Sequence, residues 1–363
     1  MILRILYGVG RVLTILAVGA CAVVPAACAS APKHKTNRPP KHGTQPRTHD
    51  ASVLPKGNFW TTPLPANAPL DPRSSTLVNS LVDIVKTTTD KGRPPWISTK
   101  DCAAHIVTVP ANQPTVHVTL DQPHVRAFNV ALRAAFNAVP LPANAVPSDC
   151  SDSILIVQQP STDKMWELWK ARRGPDGWHF KWGGATDHMS TNDGSFGPSD
   201  WPGARYDWGA SASSMVLADG MMRLSEFQAG HIDHAITMGL PNVAADVWSW
   251  PAQRSDGTLH GPDAIPYGAR FRLPPSLNID AMNLPPATKI IAKAAQKYGL
   301  VVRERTHWNV GLAAEAAPAG VTPNPWKAIL GPHRAQVLEA FPWDKLELVR
   351  MSLRSKPGPK PGA

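Results

Sequence analysis

Residues 153–182 read SILIVQQPSTDKMWELWKARRGPDGWHFKW. An apolar run over 153–159 gives way to turn chemistry in Ser161-Thr162-Asp163-Lys164, and extended character resumes over 165–171. Gly174-Pro175-Asp176-Gly177 turns again, and 178–182 alternates strictly. The pattern predicts a three-stranded meander. Because side chains alternate faces along a strand, Trp178, Phe180 and Trp182 are expected on one side, with His179 and Lys181 on the other. In the preceding strand Met165, Glu167 and Trp169 share a face, and Trp166 and Leu168 take the opposite one.

Beyond the meander, residues 183–209 are polar and glycine-rich and carry several acids and two tryptophans, Trp201 and Trp208. Loops of this length are usually functional or disordered. A short helical turn is expected at 225–228, stopped by Gly230, followed by strands at 231–240, 247–250 and 270–273. Pro285-Pro286 opens a helix that runs to about Tyr298 and stops at Gly299. Its apolar face is Ile290, Ile291, Ala294, Ala295 and Tyr298, while Lys289, Lys293 and Lys297 face water. A strand at 300–305 and a second helix at 332–340 follow. Many short strands and few helices predict a mainly β fold over residues 59–349. The expected form is an antiparallel β-sandwich, jelly-roll-like, with one or two peripheral helices.

The composition agrees with this class. With 38 prolines among 363 residues, helices are interrupted too often for an all-helical bundle. The residue usage also excludes collagen, a coiled coil and a wholly disordered chain. The net charge of +10 looks like an invitation to nucleic acid, but its location says otherwise. Seven basic residues and no acid fall in 1–49, and four more with no acid in 350–363, leaving 26 basic against 27 acidic between. The body is neutral, and no nucleic-acid partner is expected.

Residues 1–31 have the form of an export signal, with Arg4 and Arg11 before an apolar stretch and Ala27-Cys28-Ala29 fitting a small-x-small cleavage site. An alternative processing route makes Cys28 a lipid-modified first residue, although Pro25 stands where that signal normally carries a branched aliphatic residue. Residues 32–58 are basic and proline-rich and predict a disordered tether, and 350–363 a loose tail. The expected location is extracellular or in the cell envelope, touching membrane only through the signal or a lipid anchor. Cys102 and Cys150 remain in the exported body. One disulfide between them closes a loop worth about 4 kcal/mol in the chain-entropy model; two unpaired buried thiols are the other reading.

Several stretches carry a resemblance. They are Pro160-Ser-Thr-Asp-Lys-Met-Trp-Glu-Leu-Trp169, Trp208-Gly-Ala-Ser-Ala212, Gly230-His-Ile-Asp-His-Ala235 and Trp250-Pro-Ala-Gln-Arg-Ser-Asp-Gly257. Ile265-Pro-Tyr-Gly-Ala-Arg-Phe-Arg-Leu-Pro274 and Ala295-Gln-Lys-Tyr-Gly299 complete the set. Residues 139–307 so resemble a family of uncharacterised secreted bacterial proteins, common in actinobacteria. The resemblance implies a secreted, β-rich domain and brings no catalytic residue with it.

Six of the 13 tryptophans fall between Trp166 and Trp208. Flat, rigid indoles stack on sugar rings at small entropic cost, and they fill cores equally well. Trp169, Trp201 and Trp208 are the candidate ligand-binding residues. Glycoside hydrolysis needs two carboxylates, for which Glu167, Asp207 and Glu226 are candidates, with Asp233 a further acid. His234 is either a core histidine or a general base. The His231-Ile-Asp-His234 run is a poor metal site, because positions three apart on a strand face opposite ways. His231 and Asp233 read as an exposed pair.

Gly209-Ala-Ser-Ala-Ser213 lacks the closing glycine of a nucleophile elbow, and Asn192-Asp193-Gly194 is turn chemistry in a loop acidic enough for calcium. No HExxH, P-loop or dinucleotide fingerprint occurs, and neither a cofactor nor a metal is expected. The reading that results is an exported surface protein that binds or cleaves polysaccharide. The alternative is a non-enzymatic surface interaction protein whose tryptophans are core.

Overall fold

The computed structural model describes residues 54–100, 102–121, 129–318, 320–331 and 334–355, with the backbone alone at 129 and 334. The expected export signal with Cys28, most of the expected tether and the end of the expected C-terminal tail lie outside the described residues. The domain extends further than 59–349. Asn58 is buried, and Leu353–Ser355 pairs with Val247–Ser249.

The fold is mixed α/β and rich in short strands. One sheet has six strands in the order Trp96–Ser98, Gly311–Ala313, Ile236–Leu240, Leu300–Arg305, Arg270–Arg272 and Glu347–Leu348. A second has four, His105–Thr108, Leu155–Gln159, Lys164–Trp169 and Trp182–Thr186. A third joins Val118–Leu120, Gly177–Phe180 and Arg172–Gly174. The expectation of an antiparallel, jelly-roll-like sandwich is corrected here, because these sheets are mixed. His105–Thr108 runs parallel to Leu155–Gln159, Val118–Leu120 to Gly177–Phe180, Trp96–Ser98 to Gly311–Ala313, and Ile236–Leu240 to Leu300–Arg305. Parallel neighbours need long crossovers, so these pairings leave no local turn signal in the sequence.

The meander also needs a correction. Its first two strands are present, and Leu155–Gln159 is buried along its whole length, as suits a central strand. The third expected strand, however, breaks at Lys181. Gly177–Phe180 leaves for the three-stranded sheet, and Trp182–Thr186 pairs with Lys164–Trp169 instead. Gly183 and Gly184 make that second pairing possible. A Cβ on Gly183 would sit 2.1 Å from the Glu167 carbonyl oxygen, and one on Gly184 2.9 Å from the Phe196 ring. Trp178 and Phe180 are therefore core, while Trp182 sits half-buried opposite Trp169.

The helix Pro286–Lys297 forms as expected, with Ile291, Ala294 and Ala295 buried and Gly299 in the left-handed region at φ 94°. The expected strand at 231–240 is shorter, Ile236–Leu240. The helical turn before it, Leu224–Ala229, stops at Gly230 with φ 81°. Ser74–Asp90 is a long helix with no counterpart in the sequence reading, burying Leu77, Val78 and Leu81. Cys102 and Cys150 form the disulfide, Cα atoms 5.0 Å apart. No helix among the described residues is long and apolar enough to cross a membrane.

Two hydrophobic cores result, one around the six-stranded sheet and one around the four- and three-stranded sheets. Residues 211–223 join them in a largely irregular path, buried throughout except at Ala212. Met215 and Met222 enter the first core, and Val216, Leu217, Ala218 and Met221 the second.

Candidate functional site

A buried irregular segment must find partners for its peptide groups without water. Around residues 211–223 charged side chains supply them. Glu167 Oε1 accepts from the Leu217 and Ala218 N–H groups at 2.6 and 3.4 Å. Arg303 Nη1 donates to the Val216 and Leu217 carbonyls at 3.1 and 2.7 Å, and Arg223 Nη2 to Ala218 at 3.0 Å. Glu226 Oε2 accepts from the Arg223 N–H at 2.7 Å, while its Oε1 lies 3.0 Å from His234 Nε2. His234 Nδ1 in turn donates to the Ala235 carbonyl at 2.8 Å.

Three of the four residues expected to be catalytic are thus placed inside. Glu167 and His234 are wholly buried and Glu226 nearly so. Burial pushes Glu167 up to about 8, against the pull of the Leu217 N–H and Arg303. Burial alone would lower His234, but the Glu226 carboxylate outweighs it and the ring is raised. Glu167 lines no cleft; these groups hold backbone. Ser211 and Ser213 of the elbow-like stretch are buried too, with Ser211 Oγ donating to the Met215 carbonyl at 2.7 Å.

The tryptophan candidates divide. Trp208 is completely buried and cannot meet a ligand. Trp201 is half-buried, 6.2 Å from Trp166, with Lys164 Nζ 5.3 Å over its ring. Trp169 is half-buried beside its cross-strand partner Trp182. Both indoles are fixed by their N–H groups, Trp169 on Asp152 Oδ1 at 3.0 Å and Trp182 on the Asp207 carbonyl at 2.8 Å. Asp207, the remaining catalytic candidate, is partly exposed, and its Oδ1 lies 3.6 Å from Arg205 Nε.

Asp207 belongs to a charged cluster the sequence did not disclose. Arg254 Nη2 donates to the Gly209 and Ser211 carbonyls at 3.2 and 2.7 Å. Burial lowers the Arg254 pKa, and the carboxylates of Asp207, Glu304 and Asp256 oppose that shift, so all four share one electrostatic neighbourhood. Glu304 Oε2 accepts from the Ala212 N–H at 3.3 Å. Although the Glu304 side chain is 30% exposed, Oε1 is sealed, without a hydrogen bond among the described residues. Burial pushes Glu304 up to about 7, offset in part by Arg303 and raised further by Asp256 and Asp152. Asp207 Oδ1 and Arg254 Nε are likewise sealed without a hydrogen bond. A register shift between Val302 and Glu304 breaks the strand's alternation, and Arg303 and Glu304 both reach the 211–218 stretch. Bulges often re-aim side chains beside functional sites.

Residues 208–212 and 250–257 meet in this cluster through Arg254. In the sequence Glu304 reads as one charge in Arg303-Glu304-Arg305. In the 183–209 loop Asp187 and Asp200 flank His188 at 3.0 and 3.6 Å, and no three metal-ligating side chains of this loop converge among the described residues. Asn192 and Asp193 instead close turns on the Gly194 and Ser195 N–H groups at 2.6 and 3.0 Å. His231 and Asp233 form an exposed pair at 3.1 Å. In comparisons with family models, curated proteins and solved structures, the chain matches none.

Proposed function

We propose that this is an exported cell-envelope protein that binds polysaccharide at the edge formed by Trp169 and Trp182. The observation that carries the reading is the fixed pair of half-exposed indoles on adjacent strands, Trp169 held by the Asp152 carboxylate and Trp182 by the Asp207 backbone carbonyl. Stacking of sugar rings on immobilised indoles costs little conformational entropy, and carboxylates at the rim accept from sugar hydroxyls. Export rests on the leader at 1–31, and anchoring on Cys28. Glycosidic hydrolysis requires two carboxylates, and the pair available here is Asp207 and Glu304.

Retention of the full chain on insoluble glucan, chitin and peptidoglycan tests the reading, with soluble reducing ends measured in the same tubes. Trp169→Ala and Trp182→Ala are expected to release the protein from the polymer it prefers. Failure to bind any polysaccharide in a broad array would overturn the proposal. Release of reducing ends, lost in Glu304→Gln and Asp207→Asn, would make the protein a hydrolase.

A second reading, a non-enzymatic surface interaction protein, is favoured by the complete burial of Trp60, Trp208 and Trp326. In that case Trp→Ala changes lower the melting temperature and leave every glycan affinity untouched.

A further inference from the structure

A depression of about 290 Å³ lies away from the indole edge, between residues 56–59, the 191–193 turn and Trp250. Two aromatic rings wall it. Phe59 and Trp250 meet edge to face, centroids 5.3 Å apart, and Arg270 lies 4.7 Å over the Phe59 ring. Below them Trp60 is locked by its indole N–H on the Gly194 carbonyl at 3.0 Å.

The two amides lining the depression are committed elsewhere. Asn58 Nδ2 donates to the Asn192 carbonyl and to Asp219 Oδ2 at 3.3 and 3.0 Å, and its Oδ1 accepts from the Trp60 and Thr61 N–H groups. Asn192 Nδ2 donates to Asp200 Oδ1 at 2.5 Å, and its Oδ1 accepts from the Gly194 N–H. Neither is available to a ligand, but together they make the floor rigid.

Three lining groups remain. Lys56 makes no ion pair or hydrogen bond among the described residues and lines the same small depression as Asp193. Asp193 uses Oδ1 on the Ser195 N–H and hydroxyl and leaves Oδ2 open. The Trp250 indole N–H has no acceptor among the described residues. An unpaired cation and an unpaired anion lining one depression together with two aromatic rings are complementary to a molecule that carries both charges on a small apolar body. The volume sits at the lower edge of the ~300–1,000 Å³ of ligand pockets, which limits the ligand to small molecules.

We infer that this depression binds the zwitterion of an α-amino acid, its carboxylate on Lys56, its ammonium on Asp193 and its side chain against Phe59 and Trp250. Charge-assisted bonds of this kind are roughly twice as strong as neutral ones. The site is separate from the proposed polysaccharide edge, and either can fail without the other.

The test is calorimetric titration of the full chain with L- and D-alanine, L-leucine and L-phenylalanine, with ethylamine, propionate and glucosamine as single-charge probes. At least one amino acid is expected to saturate the site, with ethylamine and propionate weaker by about tenfold or more. Lys56→Met and Asp193→Asn are each expected to weaken it by about tenfold or more. Both positions are exposed, so these variants should keep the parent's melting temperature, and loss of binding in them reads the site directly. No saturation by any amino acid at ~10 mM would overturn the inference. So would affinities unchanged in both charge variants, or glucosamine binding where every amino acid fails.

Discussion

Glu167 and Arg303 hold the same residue from opposite sides. Glu167 Oε1 accepts from the Leu217 N–H at 2.6 Å, and Arg303 Nη1 donates to the Leu217 carbonyl at 2.7 Å. One side chain comes from the four-stranded sheet and the other from the six-stranded sheet. Leu217 is thus the point at which the two cores are tied, with polar side chains standing in for water along a buried path. With its pKa near 8, the Glu167 carboxyl is mostly protonated at neutral pH, and an amide is its closest mimic.

Removing that acceptor has a predictable cost. Glu167→Ala strands the Leu217 and Ala218 N–H groups and opens a cavity, which should lower stability by about 3 kcal/mol or more. Glu167→Gln keeps an acceptor and should cost about 1 kcal/mol or less. Urea denaturation of both variants checks this; equal losses would show that the side chain acts through volume alone.

The same chemistry sets a pH dependence. Burial raises Glu167 to about 8, Glu304 to about 7 and Asp219 to about 6, all above their unfolded values. A carboxyl raised on folding favours the neutral form, so its contribution is full below the unfolded value, near pH 4, and is lost as pH rises through the folded one. Stability should therefore decline between about pH 5 and 8, and more gently in Glu167→Gln, which cannot ionise. Parallel pH profiles for the two proteins would refute this assignment.

His179 makes the opposite kind of contact. Its Nδ1 lies 2.9 Å from Asp121 Oδ1 and its Nε2 2.9 Å from Asp176 Oδ1, while Arg172 Nη2 also reaches Asp121 Oδ2 at 2.8 Å. A ring with a carboxylate at each nitrogen is best served as imidazolium. The bond to Asp121, then that to Asp176, raises its pKa despite burial. The clasp is complete below the ordinary histidine value of about 6.5 and is lost as pH rises through the raised one. On the acid side, the same bonds hold Asp121, against burial, and Asp176 below their usual range. Their contribution is lost as pH falls through those lowered values. The melting-temperature gap between the parent and His179→Gln should be wide near pH 6 and close as pH rises through the raised histidine value.

How much of this was legible follows from where the signals lie. The Leu155–Gln159 and Lys164–Trp169 strands were readable because turn residues bound them locally. The break at Lys181 was not, since it depends on glycines 183 and 184 fitting against the Glu167 carbonyl and Phe196, contacts invisible to alternation. Ser74–Asp90 escaped notice because it has no side-chain cap and no acid in its first turn, and three threonines weaken its last. In the candidate site Trp169 and Asp207 were recognisable by type. Glu304 was not, because a charge at the end of a buried strand resembles a solvated edge until the register shift turns it onto residues 211–218. Glu167 misled for the converse reason: alternation put it beside Trp169, but only the burial of residues 211–223 shows that its face is closed.

Trp208 and Trp182 separate structure from recognition. Trp208 has no exposed surface, so Trp208→Ala should cost about 3–5 kcal/mol through lost packing. Trp182 is half-buried, and its indole N–H donates to the Asp207 carbonyl. Trp182→Phe keeps a ring and removes that bond, at about 1 kcal/mol. If the indole edge recognises glycan, this variant should lose polysaccharide retention well before it loses fold, because the Asp207 loop is no longer tied to the stacking surface. Thermal melts and retention assays on the two variants decide the matter. A Trp182→Phe protein that melts slightly lower yet binds as well as the parent would place recognition elsewhere and leave the edge a structural corner.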